Sequence, residues 1–125
     1  MGAYPVVETT ETNPNFGCAI YTATGPLEVV ATQSASDSLT LSNPMDTAVN
    51  GFAIFAGRDN GTGDRWYDFT SSPLTSDTVL QGGARGDFSW GSAVTDGSSL
   101  VPNVIASSGN SANNSMCVTY GPAII

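Results

Sequence analysis

The sequence predicts an all-β fold: an antiparallel β-sandwich, jelly-roll-like, with an extended N-terminal arm. Three observations lead there. Short runs rich in Val, Ile, Phe, Tyr and Thr are broken by turn residues about every 8 to 12 positions, the texture of a sandwich or barrel. The breaks are Gly25-Pro26, Asn43-Pro44, Asn60-Gly61, Ser72-Pro73, Gly82-Gly83 and Asp96-Gly97, dipeptides that supply a positive φ or stop a helix from continuing. Leu39/Leu41, Phe52/Ile54, Phe88/Trp90 and Val118/Tyr120 share the period-2 spacing that turns one face of a strand to a core.

Along the chain, residues 1–15 carry two prolines, a Thr/Glu run and little apolar content, so they read as an extended arm or an edge strand. Residues 16–125 form one β-sandwich domain, with strands expected over 16–23, 27–33, 38–42, 49–56, 65–70, 77–81, 87–90, 100–106 and 116–120. Phe52 to Phe55 is apolar without a break and marks a central strand covered on both sides. Residues 107–115 (SSGNSANNS) are polar and aperiodic, which reads as a connection. The end, Tyr120 to Ile125, is apolar to Ile124 and Ile125; a free apolar tail costs solubility, so it is expected to tuck into this fold or a neighbour. The expected core comprises Ile20, Val29, Leu39, Leu41, Phe52, Ile54, Trp66, Phe88, Trp90 and Val118.

Composition narrows the function. The 125 residues include no histidine and no lysine, which removes the side chain that titrates near neutrality and the usual amine nucleophile. The sequence therefore points away from catalysis: no catalytic residue is assigned and no cofactor is expected. Eleven carboxylates against three arginines, Arg58, Arg65 and Arg85, leave a formal charge of -8. That field repels phosphate and lacks the counterion-release contribution to nucleic-acid affinity, so neither nucleic acid nor an anionic membrane is an expected partner. No window approaches the ~18 consecutive apolar residues of a membrane helix. The start of the chain has neither the basic leader nor the apolar stretch of a signal peptide: either it is made without export, or a leader was removed.

Several constellations invite a chemical reading. Asp59, Asn60 and Asp64 stand on a glycine-flexed loop with the oxygen donors that Ca²⁺ takes, but the EF-hand spacing and its bidentate Glu are missing; a hairpin loop in which Asp and Asn cap turns is the preferred reading. Arg85-Gly86-Asp87 spells a cell-attachment tripeptide, and a strand start explains it as well. Asp46-Thr47-Ala48 has Ala where an aspartic-protease loop needs Gly, and is set aside. Trp66, Tyr67, Phe88 and Trp90 could stack on sugars, although alternation sends about half of such residues to a core. Cys18 and Cys117 match no metal spacing. Bonded, they would close a loop of about 100 residues worth ~4.7 kcal/mol in the chain-entropy model; unbonded, they are two small buried hydrophobes, the preferred reading for a chain without a leader.

The expected function is structural. An exterior-type β module with no visible leader fits a subunit that reaches the outside by assembling onto a particle: a capsid decoration, cement or spike protein at a virion surface, whose partners are other copies of itself and a capsid protein. The docking pieces are the arm and tail, with Tyr4, Val6, Val7, Ile124 and Ile125 as contact residues, because an extended arm can add a strand to a neighbour's sheet. The alternative is an extracellular carbohydrate-binding or adhesive β-sandwich, with a Cys18–Cys117 bridge and outward aromatics.

Overall fold

The structure, a computed structural model, describes residues 19–36, 40–59, 67–80, 87–106 and 113–124. Those residues are all-β and contain no helix. Seven strands run in chain order: β1 Leu27–Ser36, β2 Val49–Asp59, β3 Tyr67–Asp68, β4 Thr75–Leu80, β5 Asp87–Asp96, β6 Ile105–Ala106 and β7 Asn113–Pro122. Five of them form one antiparallel sheet in the order β1-β7-β2-β5-β4, and β3 pairs with β6 in a separate two-stranded sheet. β2 is central, as its unbroken apolar run Phe52 to Phe55 predicts, but it is not covered on both sides: Ala53 and Phe55 are buried, while Phe52 and Ile54 are only half-buried.

Register fixes what each face of the large sheet carries, because directly opposed residues project to the same side. On one face, Phe55 lies between Gly91 and Cys117, Gly57 between Ser89 and Ser115, and Ala53 between Ala93 and Thr119. Apart from Phe55 these residues are small, so a covering layer can approach closely. That layer supplies the bulk: Leu41, Met45, Tyr67, Leu74, Leu100 and Val104 are buried against Phe55 and its neighbours. Tyr67 and Phe69 both meet the Phe55 ring edge-on, at 5.2 and 5.5 Å between centroids, an arrangement aromatic quadrupoles favour.

Polar residues on the same face tie the layer down. Thr119 donates to the Asp46 carbonyl at 2.7 Å and Thr95 to the Ala48 carbonyl at 2.7 Å. Thr47 donates to the Ser98 carbonyl at 2.7 Å, and the Gln33 amide both donates to and accepts from the Asn43 backbone. Backbone bonds between Met45 and Leu100, and from Asn103 N–H to the Leu41 carbonyl, complete the attachment. Asp46-Thr47-Ala48 is thus a structural tether.

Several expectations need correction. Ile20 and Val29 are 57% and 58% exposed, and Phe52, Ile54, Phe88 and Val118 lie half-buried on the opposite face of the sheet. Leu41 and Trp90 are buried as expected; Leu39 and Trp66 lie outside the described residues. The alternation was real, but it does not say which face is covered, and here the face of small residues is. The strand expected over 100–106 contracts to β6, since Pro102 has no amide proton for a ladder. The strand expected over 65–70 contracts, among described residues, to β3. That over 38–42 leaves, among the described residues 40–42, a bridge from Thr40 to Ile105, and residues 19–23 are in no strand. Conversely β5 runs to Asp96, and β7 begins at Asn113 inside the tract expected to be a connection. Pairing with β2 and β1 orders Asn113 to Ser115 despite their polarity, a case of tertiary pairing overriding local composition.

Candidate functional site

The second face of the large sheet carries the candidate site. Reading across the strands from β5 to β1, one row is Phe88, Arg58, Asn114 and Ser36. The next is Trp90, Ala56, Met116 and Ser34; the third Ser92, Ile54, Val118 and Thr32; the last Val94, Phe52 and Tyr120, with Val29 beyond. The second and last rows are largely apolar, and the third is apolar at its centre, Ile54 and Val118. Phe52 stacks on Tyr120 at 5.1 Å, and Phe88 on Trp90 at 6.0 Å with only 12° between planes.

In the second row Ala56 is short between two long neighbours. Ala56, between Trp90 and Met116, lies in an open recess of ≈ 370 Å³ that spans strands β1, β7, β2 and β5. Trp90, Phe88, Ala56 and Met116 contribute to its apolar lining, and Arg58, Asn114, Ser34 and Ser36 to its polar lining. Arg58 lies over the Phe88 ring, its guanidinium carbon 5.8 Å from the centroid, a cation–π contact. It is the one basic residue among those described. The recess thus joins apolar side chains to a polar end.

Exposed apolar side chains extend this surface. Val94 is 88% exposed in the last row and Ile124, past the end of β7, is 94% exposed. Among the described residues β1 hydrogen-bonds a strand on one side only. It contains neither Pro nor a basic residue, the features that usually blunt an edge.

The residues singled out in the sequence fall as follows. Ile124 projects outward; Tyr4, Val6, Val7 and Ile125 lie outside the described residues. Asp59 ends β2, its backbone paired with Asp87 and Asn113, and its proposed calcium partners Asn60 and Asp64 are outside the described residues. Among those that are described, no three His, Cys, Asp or Glu side chains cluster. Cys117 is fully buried and its thiol is free, while Cys18 lies outside; burial pushes the Cys117 thiol up to about 11. Asp87 of the Arg-Gly-Asp tripeptide opens β5, and Arg85 and Gly86 lie outside. Of the sugar-stacking candidates, Tyr67 is buried and Trp90 only 7% exposed, so neither offers a ring face. Trp66 is outside the described residues, and Phe88 is covered on one face by Trp90.

The recess was not foreseen. Its signal is the triplet Ala56, Gly57, Arg58, in which a small residue precedes a cation by two positions on one strand face, but it becomes a slot only once β2 is known to lie between β5 and β7.

Turn carboxylates have structural work. Asp96 Oδ1 accepts from Ser98 N–H at 2.9 Å and from the Ser98 hydroxyl, and the Ser98 bonds hold its carboxyl below the usual range. Asp68 is lowered in the same way by Thr70. Tyr21 donates to Asp77 Oδ2 at 2.8 Å; burial, then that carboxylate, raises its hydroxyl well above the usual phenol value.

Comparison with protein-family models, with curated protein sequences and with solved structures found no match.

Proposed function

We propose that this chain is a non-enzymatic structural subunit of a larger protein assembly, a decoration, cement or spike protein at a virion surface. The observation that carries the reading is the sheet face opposite the core: Val94, Val29, Met116, Phe52 and Ile54 stand on it at least partly open to solvent. A contiguous apolar face of this kind marks a protein–protein surface. Ile124 beyond β7, and the edge of β1 that pairs with no strand among the described residues, add a tail and a strand template at the same sheet. In this reading the β3–β6 sheet and the segments packed around it form the second layer of a jelly-roll-like sandwich, and the apolar face meets a neighbouring subunit. The net charge of -8 argues for a protein partner rather than nucleic acid or an anionic membrane.

The test is isolation from the native source without detergent, followed by sedimentation. The reading expects the chain to travel with a particle far larger than itself and to be released from it by denaturant. Recovery solely as a free, slowly sedimenting protein would refute it.

A further inference from the structure

We propose that the sheet face opposite the core is the contact between two copies of this chain, packed face to face about a twofold axis that crosses the strands. This rests on the assembly reading above and names the neighbouring subunit as a second copy. The face is uneven in a way that fits itself. Its first two rows hold the recess, lined by Phe88, Trp90, Ala56 and Met116. Its far end projects: Val94 and Val29 are exposed there, on either side of the stacked rings of Phe52 and Tyr120. A twofold axis lying between the two sheets, across the strands and between the second and third rows, reverses the order of the rows. It lays Val94, Phe52 and Tyr120 of each copy over the recess of the other. An axis along the strands would set recess on recess and leave a void whose lining atoms lose their contacts. The contact is isologous and closes at two copies.

Charge and area both suit a second copy. The chain carries -8, so two copies repel each other, yet none of its eleven carboxylates stands in the four rows. The approach of two faces therefore sets no carboxylate against another. The polar residues Arg58, Asn114 and Ser36 belong to the outermost row, at the rim of the face, and the contact asks nothing of the interactions Arg58 makes within its own chain. From Phe88 to Val94 the rows run about 20 Å and five strands are about 24 Å wide, an outline of about 500 Å² per copy. Two outlines together reach about 1,000 Å², where specific interfaces begin, and side chains standing on the sheet expose more than its outline. Sheets packed in this way lie about 10 Å apart, with their strands within about 30° of each other.

Sedimentation equilibrium of the full-length chain tests this. The wild type is expected to be a dimer that tightens as salt screens the repulsion between its copies. Val94→Glu and Val29→Glu, each at the projecting end of the face, should weaken the dimer roughly tenfold or more, because each buries an unpaired carboxylate in the contact, while the β circular-dichroism spectrum is kept. Either substitution alone carries the test should the other fail to fold. Ile105→Glu is the control: Ile105 is exposed on β6, in the layer on the other side of the sheet, and this variant should associate like wild type. A monomeric wild type, as when another protein or residues 1–18 of the same chain take the face, would overturn the proposal. So would a dimer that survives both substitutions on the face, one that salt weakens, or one that Ile105→Glu dissociates as well. The two readings fail separately: a monomeric chain that travels with its particle loses this contact but keeps the assembly role. A chain that dimerises as expected yet travels with no particle keeps the contact and loses the role.

Discussion

The Tyr67 ring lies directly over Gly57, where a Cβ would collide with it, and its hydroxyl is placed to donate to the carbonyls of Arg58 at 3.2 Å and Asn114 at 3.3 Å. One contact thereby clamps β3 onto β2 and β7. A Cβ on Gly91 would strike the Phe69 ring in the same way, so two glycines of the large sheet act as seats for two aromatics of the covering layer. Gly57→Ala should destabilise the domain by about 1–3 kcal/mol through overpacking. Tyr67→Phe, which keeps the ring and removes the donor, should cost about 0.5–1.5 kcal/mol. Urea denaturation of both variants checks the order.

The two faces of β2 make a second contrast. Phe55 is fully buried while Ile54 beside it is not. Phe55→Ala should cost about 3–5 kcal/mol, near the upper end for core truncation, and Ile54→Ala distinctly less. Val94→Ala should stay within about 0.5 kcal/mol, as for surface sites. Equal losses at Phe55 and Ile54 would mean that both faces are covered within one subunit.

These residues also show what the sequence made legible. Turn dipeptides and strand-like runs located β1, β2 and β7 and the absence of helix among the described residues, because those features are local. Alternation at Phe52/Ile54 and at Phe88 revealed two-faced strands but assigned the wrong face to the core, whereas Trp90 is buried as expected. Size misled: the covered face is Gly51, Ala53, Phe55 and Gly57, and its apolar bulk arrives from Leu41, Met45, Tyr67 and Val104 in the other layer. The recess at Ala56 depends on a strand order, β7-β2-β5, that brings together residues far apart in the chain.

Cys117 gives a pH dependence whose sign is fixed. Its thiol is raised from an ordinary 9.0 to about 11 by burial, so the unfolded chain loses this proton at lower pH than the folded one. The contribution is full below about pH 9 and is lost as pH rises towards about 11. Denaturation midpoints across that interval should fall, and Cys117→Ala should flatten this part of the profile. Alkylation of native protein at neutral pH should leave Cys117 unmodified, and mass measurement of the same sample reports whether Cys18 is free.

The turn carboxylates act at the other end of the scale. Asp68 and Asp96 are both held below the ordinary 3.8 by hydrogen bonds from Thr70 and Ser98. Their stabilisation is present above that value and disappears as pH falls through the lowered ones. Asp96→Ala should lower the melting temperature at pH 7, and the gap to wild type should close in strong acid.

The central claim is that the chain assembles through its arm while folding without it. Deleting residues 1–12 and measuring both thermal melting and incorporation into the native particle tests this most directly. The account predicts an unchanged melting temperature together with lost incorporation. A truncated chain that incorporates as wild type does, or one that no longer folds, would contradict it.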